Sequence, residues 1–284
     1  MADPQPAAAR RRWPGADPAR LPDASIVVPV NAKGDLENAA RLLGDLARYD
    51  GPNTFETVLV VNNYEGDPPP QVADYEARGA RVLSLPQVER RAGDAIPFSI
   101  RLPGIKAAES PWIITFDADC RIPDATSLLD WYVARGRGGA GVAYTHVDYY
   151  DVLPATSVRV KVRMHHLARW VKRVLLRVPT ARGSNYAVRR QLMLDLYAAG
   201  LLADELNVGP AAKASGEAVV YSGEPRLTVL TSGRMFRAGW VRIITYFWYR
   251  LRYNIRVLPV RSDAARRTGR EGDPADRYDY TKRE

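Results

Sequence analysis

The sequence predicts an α/β protein: a doubly wound, mostly parallel sheet flanked by helices, followed by a C-terminal helical extension. Three observations carry this expectation. Short β-branched runs, apolar on both faces, alternate with amphipathic stretches at helical spacing, the pattern of strands buried between helix layers. Polar residues gather just past the carboxyl ends of those runs, where such sheets bind ligands. The 284 residues are 46% hydrophobic and 26% charged, enough to bury one large core, and no apolar run approaches the ~20 residues of a membrane-spanning helix.

The elements follow in order. Residues 1–23 are rich in Pro, Ala and Arg without periodicity and read as a disordered arm. "SIVVPV" (25–30) is a buried strand, and "DLENAARLLGDLARY" (35–49) a helix with Leu36, Ala39, Ala40, Leu43 and Leu46 on one face, capped by Asp35. "TVLVVNN" (57–63) is a second strand, "PPQVADYEARG" a short helix, and "ARVLSL" (80–85) a third strand. "FSIRLPGIKAAES" (98–110) reads as a helix despite Pro103, and "WIITFDAD" (112–119) as a fourth strand. The topology then places Asn31, Asn62, Asn63, Asp117 and Asp119 around one crevice.

Asp117 and Asp119 stand one residue apart after the apolar run Trp112–Phe116. Two carboxylates so close raise each other's pKa unless a cation is shared. A divalent ion bound to a diphosphate supplies one, and hard oxygen ligands suit Mg²⁺ or Mn²⁺. The alternative is an Asx-type turn with both acids solvated.

Further motifs set these acids in context. "SIVVPVNAKGDLENAARLL", "VLVVNN", "GIKAAESPWIITFDADCRIP", "RGSNYAVRR" (182–190) and "LLADELNVGPAAKASGEAVVY" stand in this order along the chain. Together they resemble the family-2 glycosyltransferases, over roughly residues 24–235. The resemblance implies a GT-A fold with a nucleotide-sugar half (24–123) and an acceptor half (124–235), leaving a basic aromatic helix and charged tail at 236–284. It implies that Asp117, Ala118 and Asp119 hold the metal and the donor diphosphate, with Pro29, Asn31, Asn62, Asn63, Arg90, Arg91, Asp94 and Arg234 completing the donor site. Asn62 and Asn63 stand where the family usually has an acid against the base, and the aromatic of its opening motif is missing. Gly183, Ser184 and Asn185 match the acceptor-side segment. "DELNVG" supplies the general base as Glu205 or Asp204, its two acids swapped relative to the family. The implied activity is metal-dependent, inverting sugar transfer from a nucleotide-diphosphate sugar, with a UDP-sugar favoured. The acceptor would be a small molecule or a lipid-linked precursor.

Charge adds a second theme. The net charge is +9, and residues 225–262 and 158–178 contain no acid but many arginines. Such surfaces favour anionic partners. "VRVKVRMHHLARWVKRVLLRV" (158–178) gathers Met164, Leu167, Val171, Val174 and Leu175 near one helical face. It reads as a helix packed on the sheet with a basic outer face, or as an interfacial surface near a membrane. The adjacent His165 and His166 are expected as a surface pair. No nucleic-acid motif accompanies the basic stretches, so no nucleic-acid partner is expected. The lone Cys120 excludes an internal disulfide. The N-terminal stretch lacks an apolar signal region, so a cytoplasmic location, peripheral to the membrane at most, is expected. The strong preference for Arg over Lys suits a GC-rich bacterial source. Two rivals stay open: a nucleotidyltransferase, whose Gly-rich loop is reduced here to "VNAKGDLEN", and a non-catalytic binding module of the same fold.

Overall fold

The computed structural model describes residues 21–89, 91, 94–202, 204–237, 239–240, 244–245 and 248. In chain order these form β1 (Ala24–Asn31), α1 (Leu36–Leu46), β2 (Phe55–Asn62), α2 (Gln71–Ala77), β3 (Arg81–Leu85), α3 (Ile96–Ala107), β4 (Trp112–Thr115) and α4 (Ala125–Arg137). Then come β5 (Val142–Thr145), β6 (Val147–Tyr149), α5 (Thr156–Val174), β7 (Tyr186–Arg189), α6 (Arg190–Ala198), α7 (Val208–Ala214), β8 (Val219–Ser222) and β9 (Val229–Thr231). Seven strands make one sheet in the order β3-β2-β1-β4-β7-β5-β8, and β6 pairs with β9 in a small second sheet. Within the large sheet only β7 runs against its neighbours β4 and β5.

Both faces of that sheet are covered. Ile26, Val28 and Val30 of β1 pack with Leu42 and Leu46 of α1 and Leu128, Leu129 and Tyr132 of α4. The intervening Val27 meets Phe98 and Ile105 of α3 and, further along, Met193 and Leu196 of α6. This explains why β1 is apolar from Ile26 to Val30: side chains on both faces meet helices, worth roughly 1.5–3 kcal/mol per large aliphatic. Helix α3 comes closest to the sheet at Gly104, where a Cβ would lie within 2.8 Å of Val27 and Val60. The same helix carries Arg101, which is wholly buried.

Strand register positions the crevice. β1 and β2 pair in parallel up to Asn31 opposite Asn62, so the two amides end side by side. Asn63 takes a positive φ of 62°, which ends β2 one residue short of the expected boundary. β4 leaves the sheet at Thr115, so Phe116–Asp119 form a turn beyond the strand rather than its last residues.

Three expectations need correction. Residues 21–23 are not part of a free arm: Pro22 is buried, and Asp23 accepts from the Thr54 amide at 2.9 Å and from Arg137 at 2.7 Å. At the other boundary, Phe236 is fully buried against Tyr149, ring centroids 4.8 Å apart, so packing continues past residue 235. Asp35 stands at the start of α1 but accepts no capping hydrogen bond from the backbone. The arm before residue 21 and the tail after 248 lie outside the described residues.

Candidate active site

Beyond the carboxyl ends of β1, β2 and β4 lies a cavity of 230 Å³. Its lining includes Pro29, Asn31, Asn62, Asp117, Ala118, Asp119, Ser184 and Arg234, all singled out by the sequence. It also includes Tyr149, Arg182, Thr231 and Ser232, which were not, and Asp35, which was expected only as a helix cap. Three carboxylates and two guanidinium groups therefore border one opening.

The Asp117–Asp119 turn is held from several sides. Arg101, at the floor, donates through Nη2 to Asp117 Oδ1 at 2.6 Å and to the Phe116 carbonyl at 3.2 Å. Behind it, Asp45 of α1 accepts from Arg121 at 2.8 Å and from the Ile122 amide at 3.0 Å, which tethers the residues just past the turn to a helix. Between the acids and this tether lies Cys120, fully buried, its Sγ 3.2 Å from the Ser184 carbonyl. Burial pushes its thiol well above the usual range, and Asp117 adds to the shift.

Asp119 is the more enclosed acid, its side chain 11% exposed against 39% for Asp117. Thr231 donates to it at 3.1 Å and Arg234 lies 3.6 Å away. Even so, burial, and after it the charge of Asp117, push its pKa up to about 6. An acid raised by desolvation and a like charge is ready for a further cation. The donor set around it is all oxygen, which fits Mg²⁺ or Mn²⁺ held by Asp117 and Asp119. Among the described residues no cluster of three His, Cys, Asp or Glu side chains forms a closed metal cage, so part of such a shell would come from substrate oxygens.

At the ends of β1 and β2, Asn31 Oδ1 accepts from the Lys33 amide and from Asn63 Nδ2, both at 3.0 Å. Asn63 is thereby turned toward Asn31 and is not among the lining residues. Asn62 does line the cavity, and its buried Oδ1 has no partner among the described residues. A buried acceptor left unpaired is costly, and a donor group on a ligand would satisfy it.

Other expected residues are used differently. Arg91 lies over the Tyr197 ring at 4.2 Å and pairs with buried Asp94 at 3.2 Å, pinning the loop before α3 onto α6 rather than lining the cavity. Arg90 lies outside the described residues. Asn185 faces inward, bonded to Tyr132, to Thr145 Oγ1 and to the His146 carbonyl at 3.3 Å. Asp204 caps the 3₁₀ turn Glu205–Asn207 by accepting from the Leu206 amide at 3.0 Å. Glu205 is buried, forms an ion pair with Arg101 and packs on Gly183; a Cβ at Gly183 would collide with its carboxylate. Arg101 thus bridges Asp117 and Glu205.

Arg101 was missed because an arginine on a helix reads as a solvated charge; its signal was the apolar company in "FSIRLPGI". Arg182, which donates to the Tyr149 hydroxyl at 2.9 Å, directly precedes the Gly183 that drew notice.

No family model and no curated protein matches the chain at the level of sequence. Solved structures do match its fold. TarS (residues 1–349) of S. aureus superposes with a TM-score of 0.52 at 17% identity, over 84% of this chain and 66% of that one. Its complex with UDP-GlcNAc gives 0.50, also at 17% identity, over 84% and 67%. The mannosyltransferase PcManGT of Pyrobaculum calidifontis, in complex with GDP-Man and Mn²⁺, gives 0.52 at 16% identity over 86% and 68%. The chain thus has the GT-A-like fold of these proteins and spans about two thirds of their length.

Proposed function

We propose that the protein is a metal-dependent glycosyltransferase that moves a sugar from a nucleotide-diphosphate sugar to an acceptor hydroxyl, with inversion at the anomeric carbon. One observation carries this reading: the acid pair Asp117 and Asp119 shares a single cavity with Arg182, Arg234 and the unpaired Asn62 Oδ1. That set matches the parts of a nucleotide diphosphate. Asn62 accepts a ring N–H from the base, which uracil, thymine and guanine present and cytosine does not; among these a UDP-sugar is favoured. Arg234 and Arg182 face the diphosphate, for which guanidinium geometry is suited. Mg²⁺ or Mn²⁺ held by Asp117 and Asp119 would supply charge neutralisation of the leaving diphosphate. The donors seen in similarly folded structures, UDP-GlcNAc with TarS and GDP-Man with the mannosyltransferase, support the same ligand class.

Arg101 keeps Asp117 in place. Asp204 is committed as a cap, so the general base is assigned to Glu205, which abuts Gly183 on the acceptor side. In that role Glu205 exchanges its ion pair with Arg101 for the acceptor hydroxyl, takes its proton and frees the oxygen to attack the anomeric carbon. The acceptor is a small molecule or a lipid-linked precursor.

The test is a thermal-shift panel of UDP, GDP, dTDP and CDP, each with and without Mn²⁺. One diphosphate at 100 times its dissociation constant should stabilise by about 2.7 kcal/mol, only with metal, and Asp119→Ala should abolish the shift. With donor and acceptor in hand, Glu205→Gln should lower kcat by about 10²–10⁴ and leave donor binding intact. If no diphosphate shifts the protein, the acids are a turn and the reading fails.

A further inference from the structure

Helix α5 is packed the wrong way round for a core helix. It buries Val158, Lys161, His165 and Arg169. Lys161 donates to the Phe236 carbonyl at 3.2 Å and Arg169 to the Val147 carbonyl at 3.3 Å. His165 is therefore an interior residue, not half of a surface pair. On the opposite side Val160, Met164, Leu167, Val174 and Leu175 are 40–63% exposed. The apolar face that the sequence suggested would lie on the sheet instead points away from it. Further along the chain Trp240, Ile244 and Trp248, helical and four residues apart, are also 40%, 60% and 67% exposed. The Trp240 ring lies 5.2 Å from Lys161 Nζ, on the inner side of the helix.

A separate cavity of 350 Å³ opens beside this face, lined by His146, Asp148, His166, Arg169, Trp170 and Arg173. Its single acid, Asp148, lies 3.4 Å from His166. Burial, then the positive charges of Arg169 and His166, hold the His146 imidazole down at about 4. Arg169 and Arg173 against that single acid make the concavity basic, and Trp170, 46% exposed, belongs to both its rim and the outer face. Exposed Arg159 and Arg163 flank the aliphatic row.

We propose that the α5 face docks onto a membrane leaflet containing anionic phospholipids, with the His146–Arg173 cavity receiving a lipid phosphate. Exposed aliphatics edged by tryptophan and arginine are the composition of a helix lying in the lipid interface. A second copy fits poorly, because it would bring together two α5 faces with no acid between residues 158 and 178. The chain's own segment 262–284 is charged and nearly without aliphatics, so it offers little to cover this surface. The middle of the face is Val160, Met164, Leu167 and Val174, aliphatics that do not stack on bases, which leaves nucleic acid as an outcome of the test. Strand β6 separates the two cavities, Tyr149 lining one and Asp148 the other. Docking would set the proposed active site beside the bilayer. The docking itself does not depend on the transferase reading.

The experiment is flotation of the full chain with vesicles of phosphatidylcholine alone or mixed with phosphatidylglycerol. Binding to the mixed vesicles should exceed binding to neutral ones at least tenfold. The double variant Leu167→Asp/Leu175→Asp should lose that binding at least tenfold with its melting temperature unchanged. Arg173→Gln should weaken binding to the anionic vesicles several-fold and leave neutral ones unaffected. Equal binding to both vesicle types, or full binding by the double variant, overturns the proposal. So does a dimer in sedimentation velocity, or a gel shift with an oligonucleotide, that the double variant abolishes. Arg173→Gln binding like the wild type would remove the headgroup cavity from it.

Discussion

Helices α1 and α5 are both amphipathic in sequence, yet they turn opposite faces to the fold. α1 buries Ala39, Leu42, Leu43 and Leu46, and the one acid it takes inside, Asp45, is met by Arg121, Arg48 and a backbone amide. α5 buries a lysine, a histidine and an arginine beside Val158 and leaves Val160, Met164, Leu167 and Val174 outside. The difference teaches that hydrophobic periodicity identifies a face without identifying what covers it. For α1 the cover is the sheet. For α5 the inner partners are rings and carbonyls of β6 and its surroundings: Val158 packs with Tyr149 and Phe236, while Lys161 and Arg169 donate to the Phe236 and Val147 carbonyls.

The sharpest way to break this contrast is to truncate one apolar residue on each helix. Leu42→Ala on α1 should cost about 3 kcal/mol in chemical denaturation, because it empties packed core volume. A cost below about 1 kcal/mol would mean that α1 is not anchored as described. A middle-sized effect concerns the polar side of the comparison. Asp45 is buried with its partners, whereas Asp119 is buried at a cost that lifts its pKa from 3.8 to about 6. The folded state therefore holds this proton more tightly than the unfolded one. The associated stability is complete below about pH 4 and is lost as the pH rises through about 6. In metal-free protein at pH 7.5, Asp119→Asn should gain roughly 2–3 kcal/mol, a gain absent at pH 4. Urea titrations of both proteins at the two pH values would show it. The smallest effect is on α5: Leu167→Ala, at a residue 60% exposed, should change stability by less than about 0.5 kcal/mol.

The same contrast explains how much was legible in the sequence. β1, β2 and β4 were readable because their central residues are apolar on both faces and bounded by polar residues, β3 as a short apolar run at the sheet edge, and the crevice followed from where those strands end. The antiparallel β7 was not readable, since "YAVR" pairs equally well in either direction. Within the site, Asp117, Asp119, Asn62 and Arg234 could be pointed to because they sit at ends of apolar runs or in recognisable segments. Arg101 and Arg182 could not, because their roles arise from distant partners, Glu205 and Tyr149, that no local spacing encodes. Asn185 misled for the same reason: its amide is spent on Thr145 and Tyr132, some 40 and 53 residues away in sequence.

Cys120 is the only cysteine in the chain, and it is sealed between the acid pair and the Arg121 tether. Its position makes the protein a clock of its own crevice. A thiol reagent can label the folded protein only when the Asp117–Cys120 turn opens, so at saturating reagent the labelling rate counts openings per unit time. Any ligand that draws Asp117 and Asp119 together should slow that clock, whether or not turnover occurs.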